Sequence, residues 1–490
     1  MGAASLATAS VVGAVLFYSK LSGSSYPSLL LYLGAASLAE IAVYVVYHSL
    51  NTPFVLGNLV PFLAEPWGFP LARWQKAIPT TKSGFYRVFL GPFDYLIPKS
   101  SQAVTAVMSQ PYVFEKPAAV RDGLVVSLGV GLVAAEGDQH RKQKKLLTPI
   151  FGLSRNRRLV PQMWAKAQVF GQKLEEMVKE AGGPTVILVH PLTMAATLDV
   201  IGSTTLGTDF DSIRYPDQPI LQAYQKVFPS LENQNAFERF VGATLPAIIS
   251  PHVLFKVPLR PIREFHQGMA MLKEYCTNQI RLKKKEIDAG GADDVELREK
   301  DILSAIIASG LTDENELLSH LLTILAAGHE STAITLAWAL FKLAQNQDVQ
   351  EKLRAEIRES LPHMASEVPT LDEINGMKYL RCFLMEVFRL YPAFPSMMRE
   401  AARPTTVGDL QIPKGKHIMV SPYAVNRSPE LWGNDADEFR VERWEESYNG
   451  GAKTSQAFLT FSSGPRICIG KDFATISLKG ITLQSRKALR

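Results

Sequence analysis

The sequence predicts a mainly α fold with small β-sheets, set behind an N-terminal membrane anchor. Three observations carry this. Asp313 to Ala344 forms a helical pattern of about thirty residues, stretches of strand character are short and few, and the first fifty residues are strongly apolar. Across the 490-residue chain, 47% hydrophobic and 20% charged residues are ordinary for a globular protein and exclude wholesale disorder. A net charge of +5 gives little reason to expect nucleic-acid binding. Cys276, Cys382 and Cys468 are too few and too scattered for a disulfide framework or a zinc cluster. A reducing, cytosol-facing body is the natural reading.

At the N-terminus, Ala3 to Tyr18 is apolar, and Tyr26 to Tyr47 is a second apolar run broken only by Glu40. The second run has the length of about twenty residues that a bilayer-spanning helix needs. A cleavable signal would want a basic start, whereas the first charge is Lys20. Residues 1–50 are therefore expected to be an anchor of one or two hydrophobic helices, and 51–490 the main body. Pro53, Pro61, Pro66 and Pro70 read as a connector. Pro161 to Gly182 and Met269 to Ile287 read as helices.

The long helix opens on Asp313 and Glu316, a capping-box pattern, and stops at Asn346. Its first half is apolar nearly all round, so it is expected to be buried. Gly328-His329-Glu330-Ser331-Thr332 interrupts it. Back-bonding to helical carbonyls would account for Ser331 and Thr332 but not for Glu330. A second helix, Met377 to Leu390, places Glu386 and Arg389 on one face among apolar neighbours. Thr406–Ile412 and His417–Pro422 then read as a strand pair turning at Pro413-Lys-Gly415.

Cys468 lies in FSSGPRICIG, residues 461–470. No histidine lies within forty residues of it to serve as a nucleophile's base. Gly464 and Gly470 permit unusual backbone angles and close approach of a flat ligand, and Arg466 can meet an anionic group on it. Lys471 to Lys479 is a plausible helix whose first amides would stabilise a thiolate. A thiolate presented to a planar dianionic cofactor is the arrangement of haem-thiolate iron.

These residues carry a family resemblance. Phe461-x-x-Gly464-x-Arg466-x-Cys468-x-Gly470 resembles the haem-binding signature of the cytochrome P450 monooxygenases. In the family's order, Ala327-Gly328-His329-Glu330-Ser331 resembles its acid–alcohol stretch and Glu386-Val-Phe-Arg389 its buried Glu-x-x-Arg motif. Phe439-Arg-Val-Glu442-Arg443-Trp444 resembles the segment whose arginine completes a triad, with Val441 where proline is common. The resemblance looks closest to fungal microsomal members.

It implies haem b held by Cys468, with Phe461 packed beside the sulfur and Arg466 and Arg399 on the propionates. His140 and Lys144 fall where the family has Trp and Arg, and are weaker propionate candidates. Gly328 would leave room for dioxygen, Glu330 and Ser331 would relay protons, and Glu386, Arg389 and Arg443 would hold the fold beneath the haem. Electrons would come from NADPH through a flavoprotein reductase docking on Arg141, Lys142, Lys144 and Lys145. The implied setting is the endoplasmic reticulum membrane with the body in the cytosol. The implied substrate is lipophilic, terpenoid-like, within fungal secondary metabolism; fatty-acid or xenobiotic hydroxylation stays open.

After about residue 476 the chain departs from the family. Ser477 stands where an acid is usual, and Gly480 to Arg490 turns polar and stops. The expectation is a C-terminus shortened by an alternative splice, a frameshift or a misannotated intron, which leaves a truncated product, non-functional or haem-binding only, as the rival reading.

Overall fold

The structure is a computed structural model that describes residues 68–90, 93–227, 251–257, 259–290, 299–364 and 366–485. The expected anchor, residues 1–50, lies outside the described residues, as do Pro53, Pro61 and Pro66 of the connector. The chain divides into two compact units, residues 1–65 with 88–94, and residues 66–87 with 95–490. The second, the body, is described here.

Helices dominate it. In chain order they include α1 (Gly68–Ala77), α2 (Ser101–Met108), α3 (Ala118–Leu128), α4 (Gly137–Leu147), α5 (Leu153–Glu180) and α6 (Val189–Ile201). There follow α7 (Pro219–Val227), α8 (Arg260–Gly290), α9 (Ile302–Ala308), α10 (Glu314–Gln345), α11 (Gln347–Ser360), α12 (Lys378–Leu390) and α13 (Lys471–Ser485). Pro70 belongs to α1 rather than to a connector, because proline is tolerated in a helix's first turn, where its missing N–H costs no bond.

The central helix α10 runs unbroken for 32 residues, about 48 Å at 1.5 Å per residue. Asp313 caps it, accepting a 2.7 Å bond from the Glu316 amide, and the Asn346 amide bonds back to Lys342 and Leu343 at the other end. α10 is long and apolar enough to cross a membrane, yet half of its most apolar window is buried within the body, as expected of a core helix. The polar run at 328–332 does not interrupt it. Ser331 Oγ donates to the Ala327 carbonyl at 2.6 Å, the back-bond foreseen for it, while Glu330 has no hydrogen-bond partner among the described residues.

The strands differ from expectation. They are β1 (Phe85–Leu90), β2 (Phe93–Pro98), β3 (Phe114–Glu115), β4 (Met397–Ala401), β5 (Thr405–Val407), β6 (Leu410–Ile412) and β7 (His417–Val420). The hairpin is β5–β6, turning at Gly408 with φ +60°, and not at Pro413-Lys-Gly415. β7 belongs to another sheet. There it pairs parallel with β2, Tyr95 opposite His417, and antiparallel with β4, Arg399 opposite Ile418. Two glycine turns seven residues apart both satisfy the local pattern, and tertiary pairing chooses between them.

The departure after residue 476 does not end the last helix. α13 continues to Ser485, and Ile476, Leu478, Ile481 and Leu483 are buried in it. It packs on α5 and touches α10 and α12. The approach to α5 is close: a Cβ on Gly171 would lie 2.7 Å from the Gln484 carbonyl oxygen. As far as Ser485, the segment that looks polar in the sequence is thus a core element.

Candidate functional site

The site grows from the loop before α13. Ser462 and Gly464 both adopt left-handed backbone, φ +62° and +64°, and fold the loop back on itself. A Cβ on Gly464 would lie 2.7 Å from the Met108 carbonyl oxygen, so α2 leaves room there for glycine alone. The Cys468 amide donates to the Phe461 carbonyl at 2.9 Å and closes the turn. Phe461 packs edge-on against Phe388 of α12, ring centroids 4.9 Å apart.

Cys468 is exposed to solvent although protein surrounds it closely, as befits a side chain facing a concavity. Those surroundings push its thiol up, and the Gly470 amide beside the sulfur partly offsets this by donating to it. Gly470 sits so near that a Cβ there would be 3.9 Å from Sγ.

A cluster of cations gathers beside the loop. Arg466 donates to the Ala135 carbonyl at 2.8 Å and pairs with Glu136. Glu136 also accepts from Lys116 Nζ at 2.9 Å. Burial, with Arg466 close by, lowers Arg399 to about 10 and Lys116 to about 8. Arg399 itself donates only to the adjacent Met398 carbonyl, at 2.8 Å, among the described residues. Glu136 pairs with two of these three cations, Glu115 lies near the same two, and the mutual repulsion of the three marks a place that would accept a multiply charged anion. Lys116, Glu136 and Tyr112 were not legible as members of this site, because no sequence spacing links them to Arg466.

Two weaker candidates are placed differently from each other. His140 is buried and accepts from, or donates to, the Tyr112 hydroxyl through Nδ1 at 3.1 Å. Burial and the neighbouring cations Arg466 and Lys116 push it down to about 3, so it serves as a neutral imidazole. Lys144 turns to the loop backbone and donates to the Pro465 carbonyl, which commits it away from a free anion. Of the four basic residues on α4, Arg141 pairs with Asp138 and lies over the Tyr112 ring; Lys142 and Lys145 are exposed with no partner among the described residues.

On α10 the structure corrects one assignment. A Cβ on Gly328 would lie 2.7 Å from Ile201 Cδ1, so Gly328 makes room for α6 rather than for dioxygen. The residue that leaves space is Ala327, exposed in the midst of a buried stretch, with half-buried Ser331 one turn on along the same face. Burial raises the Glu330 carboxyl above its usual range.

Beneath the loop, the structure brings Glu386, Arg389 and Arg443 together. Arg389 is bidentate on Glu386, Nε and Nη2 both at 2.8 Å, and Arg443 Nε adds a third bond at 3.2 Å. The Arg440 amide and Trp444 Nε1 complete the shell, each at 2.9 Å. Arg389 Nη1 also donates to the Asn426 and Ala436 carbonyls, fixing the chain that leads into the loop. Asn426 in turn bonds Thr460 and the Leu459 amide, just ahead of Phe461.

Comparison with known proteins agrees with this geometry. The sequence profile of the family described as Cytochrome P450 matches residues 71–484. The cytochrome P450 monooxygenase sphH of Aspergillus fumigatus is 32% identical over 440 residues, covering 87% of this chain and 79% of that protein. The cytochrome P450 monooxygenase FUM15 of Gibberella moniliformis is 31% identical over 466 residues, covering 84% and 77%. The cytochrome P450 monooxygenase ALT8 of Alternaria alternata is 30% identical over 478 residues, covering 84% and 78%. With a thiol presented by a glycine-shaped loop, a buried Glu-Arg-Arg triad and a family match over most of its length, the chain belongs to the cytochrome P450 family of haem-thiolate monooxygenases, resembling the fungal members.

Proposed function

We propose that this protein is a membrane-anchored monooxygenase of the endoplasmic reticulum that inserts one atom of dioxygen into a lipophilic, terpenoid-like molecule of fungal secondary metabolism. The observation that carries the reading is one accessible, amide-capped thiol beside cations that outnumber their carboxylates. Haem answers both needs with a thiolate-binding iron and two propionates, so the residues present fit it. Cys468 would hold the iron, Arg466 and Arg399 the propionates, and His140 would serve as a neutral donor to one of them. Bound haem supplies the iron at which dioxygen is cleaved, one atom entering the substrate and the other leaving as water with two electrons and two protons.

The chain's own groups set the conditions for that chemistry. Phe461, braced by Phe388, would pack beside the sulfur and help exclude water once haem covers it, and the Gly470 amide favours its thiolate. Burial raises the Glu330 carboxyl above its usual range and so favours its protonated form, which suits a proton carrier. Ser331 passes that proton inward once its hydroxyl lets go of the Ala327 carbonyl. The triad would fix the chain that leads into the cysteine loop and so hold Cys468 in place for the haem.

Electrons come from NADPH through a flavoprotein reductase, whose acidic face meets α4 at Lys142 and Lys145. The apolar runs at 3–18 and 26–47 hold the body to lipid on its cytosolic side. The test is the carbon-monoxide difference spectrum of the reduced protein in membranes, beside Cys468→Ala. A thiolate-type Soret band that disappears in the variant is expected. Expressed wild-type protein without that band would overturn the reading.

A further inference from the structure

His329 lies between Gly328 and Glu330, and its side chain is wholly buried. Its Nε2 is 2.9 Å from the Met194 carbonyl oxygen of α6. A carbonyl can only accept, so Nε2 carries the hydrogen and Nδ1 is bare; Nδ1 is buried with no partner among the described residues. The Tyr224 ring of α7 stands edge-on to the imidazole, centroids 4.7 Å apart. Burial lowers His329 to about 4, which agrees with one neutral tautomer in this setting.

Helical geometry gives this contact a consequence. Successive residues on a helix are about 100° apart, so Ala327 and Ser331 each stand about 200° from His329. They occupy the opposite side of α10, and both are accessible there. Whatever fixes His329 against α6 therefore fixes the direction in which Ala327 and Ser331 face. Gly328 seated on Ile201 sets the spacing of α10 and α6, but a glycine against an aliphatic carbon has no directional bond to resist rotation. The His329 hydrogen bond has one.

We propose that His329 is a positioning residue. Held by Met194 on α6 and by the Tyr224 ring on α7, it locks the rotation of α10 so that Ser331 and the Ala327 carbonyl address the ligand side of the haem. This rests on the haem-thiolate reading above. Because Tyr224 belongs to α7, movement of that helix changes the lock without touching Glu330 or Ser331.

The experiment uses the full-length, haem-loaded protein and the infrared C–O stretch of its reduced carbon-monoxide complex. That vibration reads the dipoles around the ligand and needs no substrate. Wild type is expected to give one narrow band. His329→Leu, without a donor, is expected to give a broadened or split band with the thiolate-type Soret band retained. His329→Gln, whose amide can donate to Met194, is expected to restore a narrow band, a rescue that general packing damage would not produce. Tyr224→Leu, which keeps the hydrogen bond and removes the ring, is expected to broaden it, and it decides the matter should His329→Leu fail to hold haem. Narrow bands at the wild-type position in both His329→Leu and Tyr224→Leu overturn the lock while leaving the function standing. A wild type that gives no thiolate-type band overturns the functional reading and the lock with it.

Discussion

Replacing Lys479 with methionine should stabilise the protein, and should do so less as pH rises. Lys479 sits on α13 with 4% of its surface exposed, donating to Asn375 Oδ1 at 3.0 Å and to the Ile374 carbonyl at 3.3 Å. Burial, aided by Arg381 and opposed by Glu356, lowers it from 10.5 to about 8. The folded state therefore disfavours the ammonium. Below about pH 8 both folded and unfolded chains carry the charge, and the fold bears the full cost. Between about 8 and 10.5 the unfolded chain binds more protons than the folded one, so wild-type stability rises with pH across that window. At 1.36 kcal/mol per unit, the cost is about 3 kcal/mol at pH 7 and about 1 kcal/mol at pH 9.5. The two hydrogen bonds return part of it. Methionine matches the stem's shape and removes the titration. Urea unfolding of both proteins, followed by tryptophan fluorescence at pH 7 and pH 9.5, reads the difference directly. A Lys479→Met protein that is less stable than wild type at pH 7, or whose advantage is the same at both pH values, would refute the reasoning.

Other outcomes follow from the same structure. Glu386→Gln leaves two buried arginines without their anion and should cost about 3–5 kcal/mol, seen as a lower urea midpoint and reduced haem content; an unchanged midpoint would deny the triad its structural role. Gly464→Ala forces a side chain into left-handed backbone against the Met108 carbonyl, at about 1–2 kcal/mol for the conformation alone, and should lower the haem-to-protein ratio. Charge reversal at Lys142 and Lys145 should slow reduction by a reductase about tenfold at low salt with haem content unchanged; equal rates would move the docking face elsewhere.

Much of the site is legible in the sequence because it is local. Glu386 and Arg389 stand three apart on an otherwise apolar helix, so their burial as a pair follows from helical geometry. The loop glycines and Cys468 sit within ten residues of one another. What is not legible is what long-range contact decides. Gly328 reads as space for a ligand until Ile201, more than a hundred residues earlier, is found in that space. Lys116 and Glu136 acquire meaning only when Arg466 folds onto them. The capping box at Asp313 is half formed, with only the Glu316 amide bond present among the described residues. The last helix misleads for a subtler reason. Its Ser477, Thr482 and Ser485 look like a surface face, but Ser477 and Ser485 bond back to helical carbonyls and are buried with their apolar neighbours.

The bond from Lys144 to the Pro465 carbonyl joins α4 to the cysteine loop, and the Arg466–Glu136 pair is a second tether at the residue just before the helix begins. The face that carries Lys142 and Lys145 is thus mechanically continuous with the sulfur's own backbone. A partner that presses on this helix leans on Cys468 as well. If the electron donor docks on this helix, as proposed, its recognition and the tuning of the electron's destination become one event, with the helix as the lever.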